Sequence, residues 1–161
     1  MTVHRTITDV FEEDHDRLDT LFHSFRESKR QNFPKAHDAF QTFCRGLQRH
    51  ILWEEELLFP LWEEKTGMVD AGPTVVMRAE HRRIGEQLEA IRRKLAERNS
   101  QTDQEEAALL ELLGAHNLKE ERVLYPSIDQ LATPDECRDI FYKMKQIPEE
   151  RPGACCGAPR T

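Results

Sequence analysis

One phrase is written twice in this chain. HILWEEELLFP begins at His50, and HNLKEERVLYP begins at His116. Each sets a Glu one helical turn after a His, a second Glu beside the first, and an aromatic–Pro pair at its end. The two copies lie 66 residues apart, and the same shift carries His15 onto His81. It also carries Phe11 onto Met77, Leu18 onto Ile84, Phe22 onto Leu88, Leu47 onto Leu113, and Glu55 onto Glu121. The chain therefore reads as two copies of one hairpin, related by an approximate two-fold axis.

The hairpin is helical. Prolines fall at positions 34, 60, 73, 126, 134, 148, 152 and 159, which leaves long stretches free for helix. Alternating β-branched runs and Asn-Gly or Asp-Gly turns are absent, so no strand is expected. Helix 1 is predicted from about Asp9 to Lys29, with Asp9 and Glu12 as a capping pair. Helix 2 runs from Pro34 to about Phe59, or to Glu64 if Pro60 only kinks it. Helix 3 runs from Pro73 to about Arg98. Helix 4, capped by Thr102 and Glu105, runs to about Leu131. A short fifth helix starts at Thr133 and Pro134 and ends near Gln146. Short links between long helices imply antiparallel neighbours. The expected fold is all-α: an up-down-up-down antiparallel four-helix bundle over residues 1–146, with a flexible Pro/Gly/Cys tail over residues 147–161.

Steps of three and four residues mark the seam of each helix. Helix 1 gives Phe11, His15, Leu18, Phe22 and Phe25. Helix 2 gives Phe40, Phe43, Leu47, His50, Glu54, Leu57 and Leu61. Helix 3 gives Met77, His81, Ile84, Leu88, Ile91 and Leu95. Helix 4 gives Leu109, Leu113, His116, Glu120 and Val123. Each seam thus carries one His, and two seams add a Glu on the same face. At ~1.5 Å per residue the histidines of each hairpin stand at one depth.

A buried ionised carboxylate is unfavourable unless it is paired or bound to metal. A single core His is usually structural, and one His-x-x-x-Glu is a common solvated pattern. Six polar residues in matching register across a repeat have no comfortable metal-free explanation. His15, His50, Glu54, His81, His116 and Glu120 suit a dinuclear site, with each carboxylate bridging and each metal taking imidazoles from two helices. Nitrogen and oxygen donors without thiolate suit iron, manganese or zinc. A ferritin-like site fails on spacing, since it needs Glu-x-x-His twice and only Glu12–His15 offers it.

These residues resemble the hemerythrin-like, or HHE cation-binding, family. The matching stretches are DHDRLD at 14–19, HILWEEELLFP at 50–60, MRAEH at 77–81 and HNLKEERVLYP at 116–126. The resemblance implies two non-haem irons with an oxo or hydroxo bridge. It implies ligation by His15, His50, Glu54, His81, His116 and Glu120, with both Glu bridging. The family's oxygen carriers have a further His one turn before the third-helix His, where this chain has Met77. They also end on an Asp, where this chain has His116 followed by Glu120. The resemblance therefore implies binding or sensing of O2, a related diatomic ligand, or iron, more than simple oxygen carriage. The alternatives are an enzyme acting on peroxide or nitric oxide and, from another class, a metal-free helical interaction module. The family's repair branch carries an additional His; His37, a candidate by residue type, is ~20 Å along its helix from His50.

The net charge of −7 argues against a nucleic-acid partner, and no apolar run approaches a membrane span. MTVHRTITDVFEED is polar and then acidic, so no export signal is expected. Cys44, Cys137, Cys155 and Cys156 form no disulfide framework and read as reduced thiols of a cytoplasmic protein. Cys155–Cys156 could dock a protein partner. Trp53, Trp62 and Cys44 read as packing, His4, His23 and His37 as solvated, and the acidic runs EEDHD and EEE as charged faces.

Overall fold

The computed structural model describes residues 4–149, and among them every regular element is helical. In chain order these are α1 (Ile7–Ser28), α2 (Phe33–Trp53), α3 (Phe59–Thr66), α4 (Pro73–Ala96), α5 (Asp103–Lys119), α6 (Tyr125–Leu131) and α7 (Pro134–Met144). Two π-helical turns, Glu54–Leu58 and Glu120–Leu124, join α2 to α3 and α5 to α6 without a break.

The prolines of the repeated phrase account for those turns. Pro60 and Pro126 supply no N–H, and their rings would meet the carbonyl four residues back in a regular α-helix. The chain widens by one residue instead, so the Phe59 N–H reaches the Glu54 carbonyl and the Tyr125 N–H reaches that of Glu120. The helical run therefore does not stop at Phe59 but passes Pro60 and ends at Thr66, near the longer of the two expected limits. The wider turn also slips the seam by one position. Leu58 and Leu124 are buried, whereas Val123, expected in the core, is 59% exposed. Leu57 and Leu61 are only half-buried.

Helix starts follow side-chain capping with two departures from expectation. The box of α1 lies one turn earlier than Asp9–Glu12: Thr6 Oγ1 accepts from the Asp9 N–H at 3.0 Å, and Asp9 accepts from the Thr6 N–H at 2.9 Å. Asp129 adds a remote cap, its carboxylate accepting from the Ile7 and Thr8 N–H groups at 2.7 and 3.1 Å. At α5, Thr102 does not cap with its side chain; its hydroxyl donates to Glu106 at 2.6 Å. The Thr133–Glu136 box of α7 forms as expected.

Aromatic pairs fix the register of α1 on α2. Ring centroids are 5.1 Å apart for Phe25–Phe40, 4.8 Å for Phe22–Phe43 and 4.6 Å for His15–His50. Numbers rise in α1 as they fall in α2, so the two run antiparallel. Lys94–Glu105 at 2.6 Å and His81–His116 at 4.9 Å give α4 and α5 the same relation. Buried Lys29 joins the end of α1 to Glu106 and Asp103 at the start of α5.

The apolar core comes in two pieces. One contains Leu18, Phe22, Phe25, Phe40, Phe43, Ile84, Leu88 and Leu109. The other contains Phe11, Trp53, Leu58, Phe59, Met77, Leu124, Tyr125 and Ile140. Between them lies the layer that holds the four seam histidines. Trp53, Trp62 and Cys44 are packed as expected. Packing continues past Gln146: Ile147 is buried, and Glu149 pairs with Arg49 at 3.1 Å. Cys155, Cys156 and the rest of the expected flexible tail from residue 150 lie outside the described residues. No helix among the described residues is long and apolar enough to cross a membrane.

Removing the remote cap isolates one tertiary constraint. Asp129→Ala is expected to lower stability by about 0.5–2 kcal/mol, the usual loss for a helix N-cap, while helix content is retained. Urea unfolding followed by circular dichroism checks this; an unchanged midpoint refutes it.

Candidate metal centre

All six predicted ligands meet in the layer between the two apolar clusters. Glu54 and Glu120 are 0% exposed, and His15, His50, His81 and His116 are each 5% exposed or less. They form two overlapping sets, His15–His50–Glu54–Glu120 and His81–His116–Glu54–Glu120, whose donor atoms lie within 4.8 Å of one another in each set. Both carboxylates belong to both sets. In one half, His50 Nε2 is 3.4 Å from Glu54 Oε1, and His15 Nε2 is 3.4 Å from Glu120 Oε2. In the other, His81 Nε2 is 3.1 Å from Glu54 Oε2, and His116 Nε2 is 2.9 Å from Glu120 Oε1.

Each imidazole is turned by a second carboxylate. Nδ1 lies 2.7 Å from Glu121 in His15, 2.9 Å from Asp14 in His50, 2.7 Å from Glu55 in His81, and 2.8 Å from Glu80 in His116. An ionised carboxylate only accepts, so each Nδ1 carries its proton. A neutral ring then presents the Nε2 lone pair to the centre, the arrangement that orients histidine for metal. The sequence reading placed Asp14 and Glu55 in charged faces, which the structure corrects, and gave Glu80 and Glu121 no role at the site. The repeat held the signal: Asp14 and Glu80 are 66 residues apart, as are Glu55 and Glu121, and each adjoins a predicted ligand in the chain.

Tyr125 is a second residue the sequence reading left in the background. Its buried hydroxyl donates to Glu54, lies 3.0 Å from Glu120 Oε2, and stands 3.3 Å from His50 Nε2 and 3.4 Å from His15 Nε2. Phe59, its repeat partner, instead stacks on His81 at 5.8 Å. Met77 lies in the apolar cluster beside the layer. His37 does not reach the centre; it stands near Gln41 at 3.5 Å. His23 pairs with Glu27 on the surface.

Electrostatics fit a cation site. Burial alone would lower the His50 pKa, yet Glu54 and Asp14 push it up to about 10. Burial also opposes charge on His81, and Glu54, Glu55 and Glu120 overcome it, to about 9. Burial would raise Glu54, but His50 and His81 hold it well below the usual carboxylate range. Burial, then Glu120 and Glu54, keep the Tyr125 phenol well above its usual range. Metal-free, the carboxylates thus draw protons onto the His50 and His81 rings, and a metal would replace those protons.

Three atoms carry the fit test. Glu54 Oε2, His81 Nε2 and Glu120 Oε1 are buried without a hydrogen-bond partner among the described residues. His81 Nε2 stands 3.1 Å from Glu54 Oε2 and 3.9 Å from Glu120 Oε1, and all three belong to one donor set of the size that holds an ion. Leaving them unpaired would cost about 1–3 kcal/mol each, so the donor set fits a metal.

Residues 6–128 match the family described as Hemerythrin HHE cation binding domain. Among curated proteins, the chain is 41% identical over 46 residues to the iron-sulfur cluster repair protein YtfE of Yersinia pseudotuberculosis serotype IB (strain PB1/+). It is 39% identical over 46 residues to the protein of that name from Yersinia pestis (strain Pestoides F). Each match covers 29% of this chain and 21% of the relative, so the chain spans about a fifth of the length of those relatives. No solved structure matches. The chain belongs to the hemerythrin HHE cation-binding family.

Two outcomes follow for the centre. Glu80→Gln and Asp14→Asn, each removing a charged partner of one imidazole, are expected to weaken metal binding roughly 10–100-fold with helix content unchanged. Competition with a metal chelator measures this, with the exposed Glu111→Gln as the unaffected control. The second outcome concerns pH. His50 and His81 have folded pKa values above their unfolded value of 6.5. Their contribution to metal-free stability is fully present below that value and is lost as pH rises through about 9 and about 10. The melting temperature of chelator-treated protein should fall across that window, while metal-loaded protein stays level.

Proposed function

We propose that this chain binds two non-haem irons and uses them to bind or sense O2, a related diatomic ligand, or iron itself, in the cytoplasm. His15 and His50 would hold one iron and His81 and His116 the other. Glu54 and Glu120 would bridge them, together with an oxo or hydroxo group. The paired irons would supply a redox-active Lewis-acid centre able to take a small oxidant. The observation that carries this reading is the sharing of both buried carboxylates between two His pairs, with three of the donor atoms otherwise unpartnered. The proposed frame is an up-down-up-down four-helix bundle, supported by the antiparallel registers of α1 on α2 and α4 on α5.

This chain's residues would do four things. The seam histidines turn their Nε2 atoms inward. Asp14, Glu55, Glu80 and Glu121 hold the Nδ1 protons and so fix the rings. The two apolar clusters exclude bulk water from the layer, which strengthens charge interactions inside it. Phe59 and Met77 line the His81 side with apolar surface.

A metal-free interaction module gives no reason for two fully buried carboxylates and four imidazoles to share one layer, which disfavours it. Repair of iron–sulfur clusters, named in the relatives, has only the shared 46-residue stretch in its favour.

Protein from iron-supplemented cells should contain two irons per chain, one for each donor set. His50→Ala combined with Glu54→Ala should abolish that loading. Elemental analysis decides the point, and no bound iron even after anaerobic reconstitution would refute the reading. Stopped-flow mixing with O2, nitric oxide and peroxide then separates stoichiometric binding from turnover.

A further inference from the structure

The two halves of the centre are built from repeated sequence, yet they differ by one oxygen atom. At the position equivalent to Phe59 the second repeat carries Tyr125. Its hydroxyl oxygen is near four donor atoms: Glu54 Oε1, Glu120 Oε2, His50 Nε2 and His15 Nε2. These are the donors that the His15–His50 half presents toward its centre. In the other half Phe59 lies parallel to the His81 ring, 9° between planes, and offers no donor. The unpartnered atoms confirm the division. All three, Glu54 Oε2, His81 Nε2 and Glu120 Oε1, face the His81–His116 half. In the His15–His50 half the phenol takes up the donors.

One hydroxyl has a single proton to donate, so it cannot satisfy two carboxylate oxygens and two ring nitrogens at once. A cation can, because every donor turns a lone pair to it. When a cation enters among those four atoms, a phenol oxygen already among them becomes one more hard oxygen donor, the kind ferric iron favours.

Resting on the di-iron reading, we infer that Tyr125 is itself a metal ligand, its phenolate oxygen binding the iron held by His15 and His50. The two irons are then unlike. One receives two nitrogens and two bridging carboxylates, and the other receives a phenolate besides. On ligation the phenol O–H bond breaks, the proton passes to solvent, an iron–oxygen bond forms, and no electron is transferred. The phenolate favours the ferric state of the iron it touches, so that iron is the harder of the two to reduce.

The chain has two tyrosines, and the other, Tyr142, is 65% exposed on α7. A tyrosine signal on iron is therefore assignable. The experiment uses full-length protein purified with iron and oxidised to the ferric state. Iron per chain, visible absorption and resonance Raman spectra are recorded for the wild type, Tyr125→Phe and Tyr142→Phe. The wild type and Tyr142→Phe should show a phenolate-to-iron charge-transfer band in the visible, with tyrosine ring modes enhanced under it. Tyr125→Phe should keep its iron and lose both. Wild-type protein labelled with ring-deuterated tyrosine should shift those modes, which tests the ligand even if Tyr125→Phe fails to fold. Iron-loaded wild type without a tyrosine-derived band overturns the ligand assignment and leaves the di-iron reading standing. Wild type that binds no iron overturns both.

Discussion

Two carboxylates with no exposed surface sit in the middle of a helical core, and the rest of the structure answers to them. Glu54 and Glu120 cannot stay ionised in apolar surroundings without compensation. The chain compensates in shells. Four imidazoles surround the pair, four further carboxylates hold the outer nitrogens of those imidazoles, and cations such as Arg17 and Lys119 sit outside the carboxylates. Charge alternates outward from the centre until it reaches solvent. The core is split into two apolar clusters because this layer runs between them, so the site is an interruption of the core from which both clusters take their boundary.

The π-helical turns belong to the same arrangement. Each begins at one of the two fully buried glutamates, and each is followed by a Pro that a regular helix would not admit. The wider turn puts two successive residues, Leu58 and Phe59 in one repeat and Leu124 and Tyr125 in the other, into the core beneath the carboxylates. A plain α-helix would have turned one of each pair to solvent. Tyr125 therefore reaches the centre because the backbone loses a fraction of a turn just before it. The irregular backbone is placed where the chemistry is, as π turns often are.

Much of this was legible in the sequence, for local reasons. The three- and four-residue steps identified helices, and the repeat identified six residues on one layer, because periodicity and residue chemistry are carried by the chain itself. What was not legible depended on choices the chain leaves open. Pro60 and Pro126 are compatible with a helix end, a kink or a widened turn, and only the widened turn explains exposed Val123 beside buried Leu124. Thr6–Asp9 and Asp9–Glu12 both fit a capping pattern; Asp129, on the far side of the sequence, favours the first. Asp14 and Glu55 sit in acidic runs that resemble solvated faces, Glu121 stands beside Arg122, and the partners of all three lie on other helices. The 66-residue shift pairs Glu55 with Glu121 in the sequence, but nothing in the repeat says that either meets an imidazole, and Asp14 and Glu80 are paired by the same shift.

The outer carboxylates also have an order. Asp14 of α1 holds the ring on α2; Glu55, just past α2, holds the ring on α4; Glu80 of α4 holds the ring on α5; and Glu121, just past α5, holds the ring on α1. No helix steadies its own imidazole. The four tethers close into a hoop around the bundle. Strain applied at any point of the hoop is shared by all of it, and slack at one tether loosens the next. The centre therefore registers the girth of the whole bundle, and the bundle in turn is cinched by whatever the centre holds.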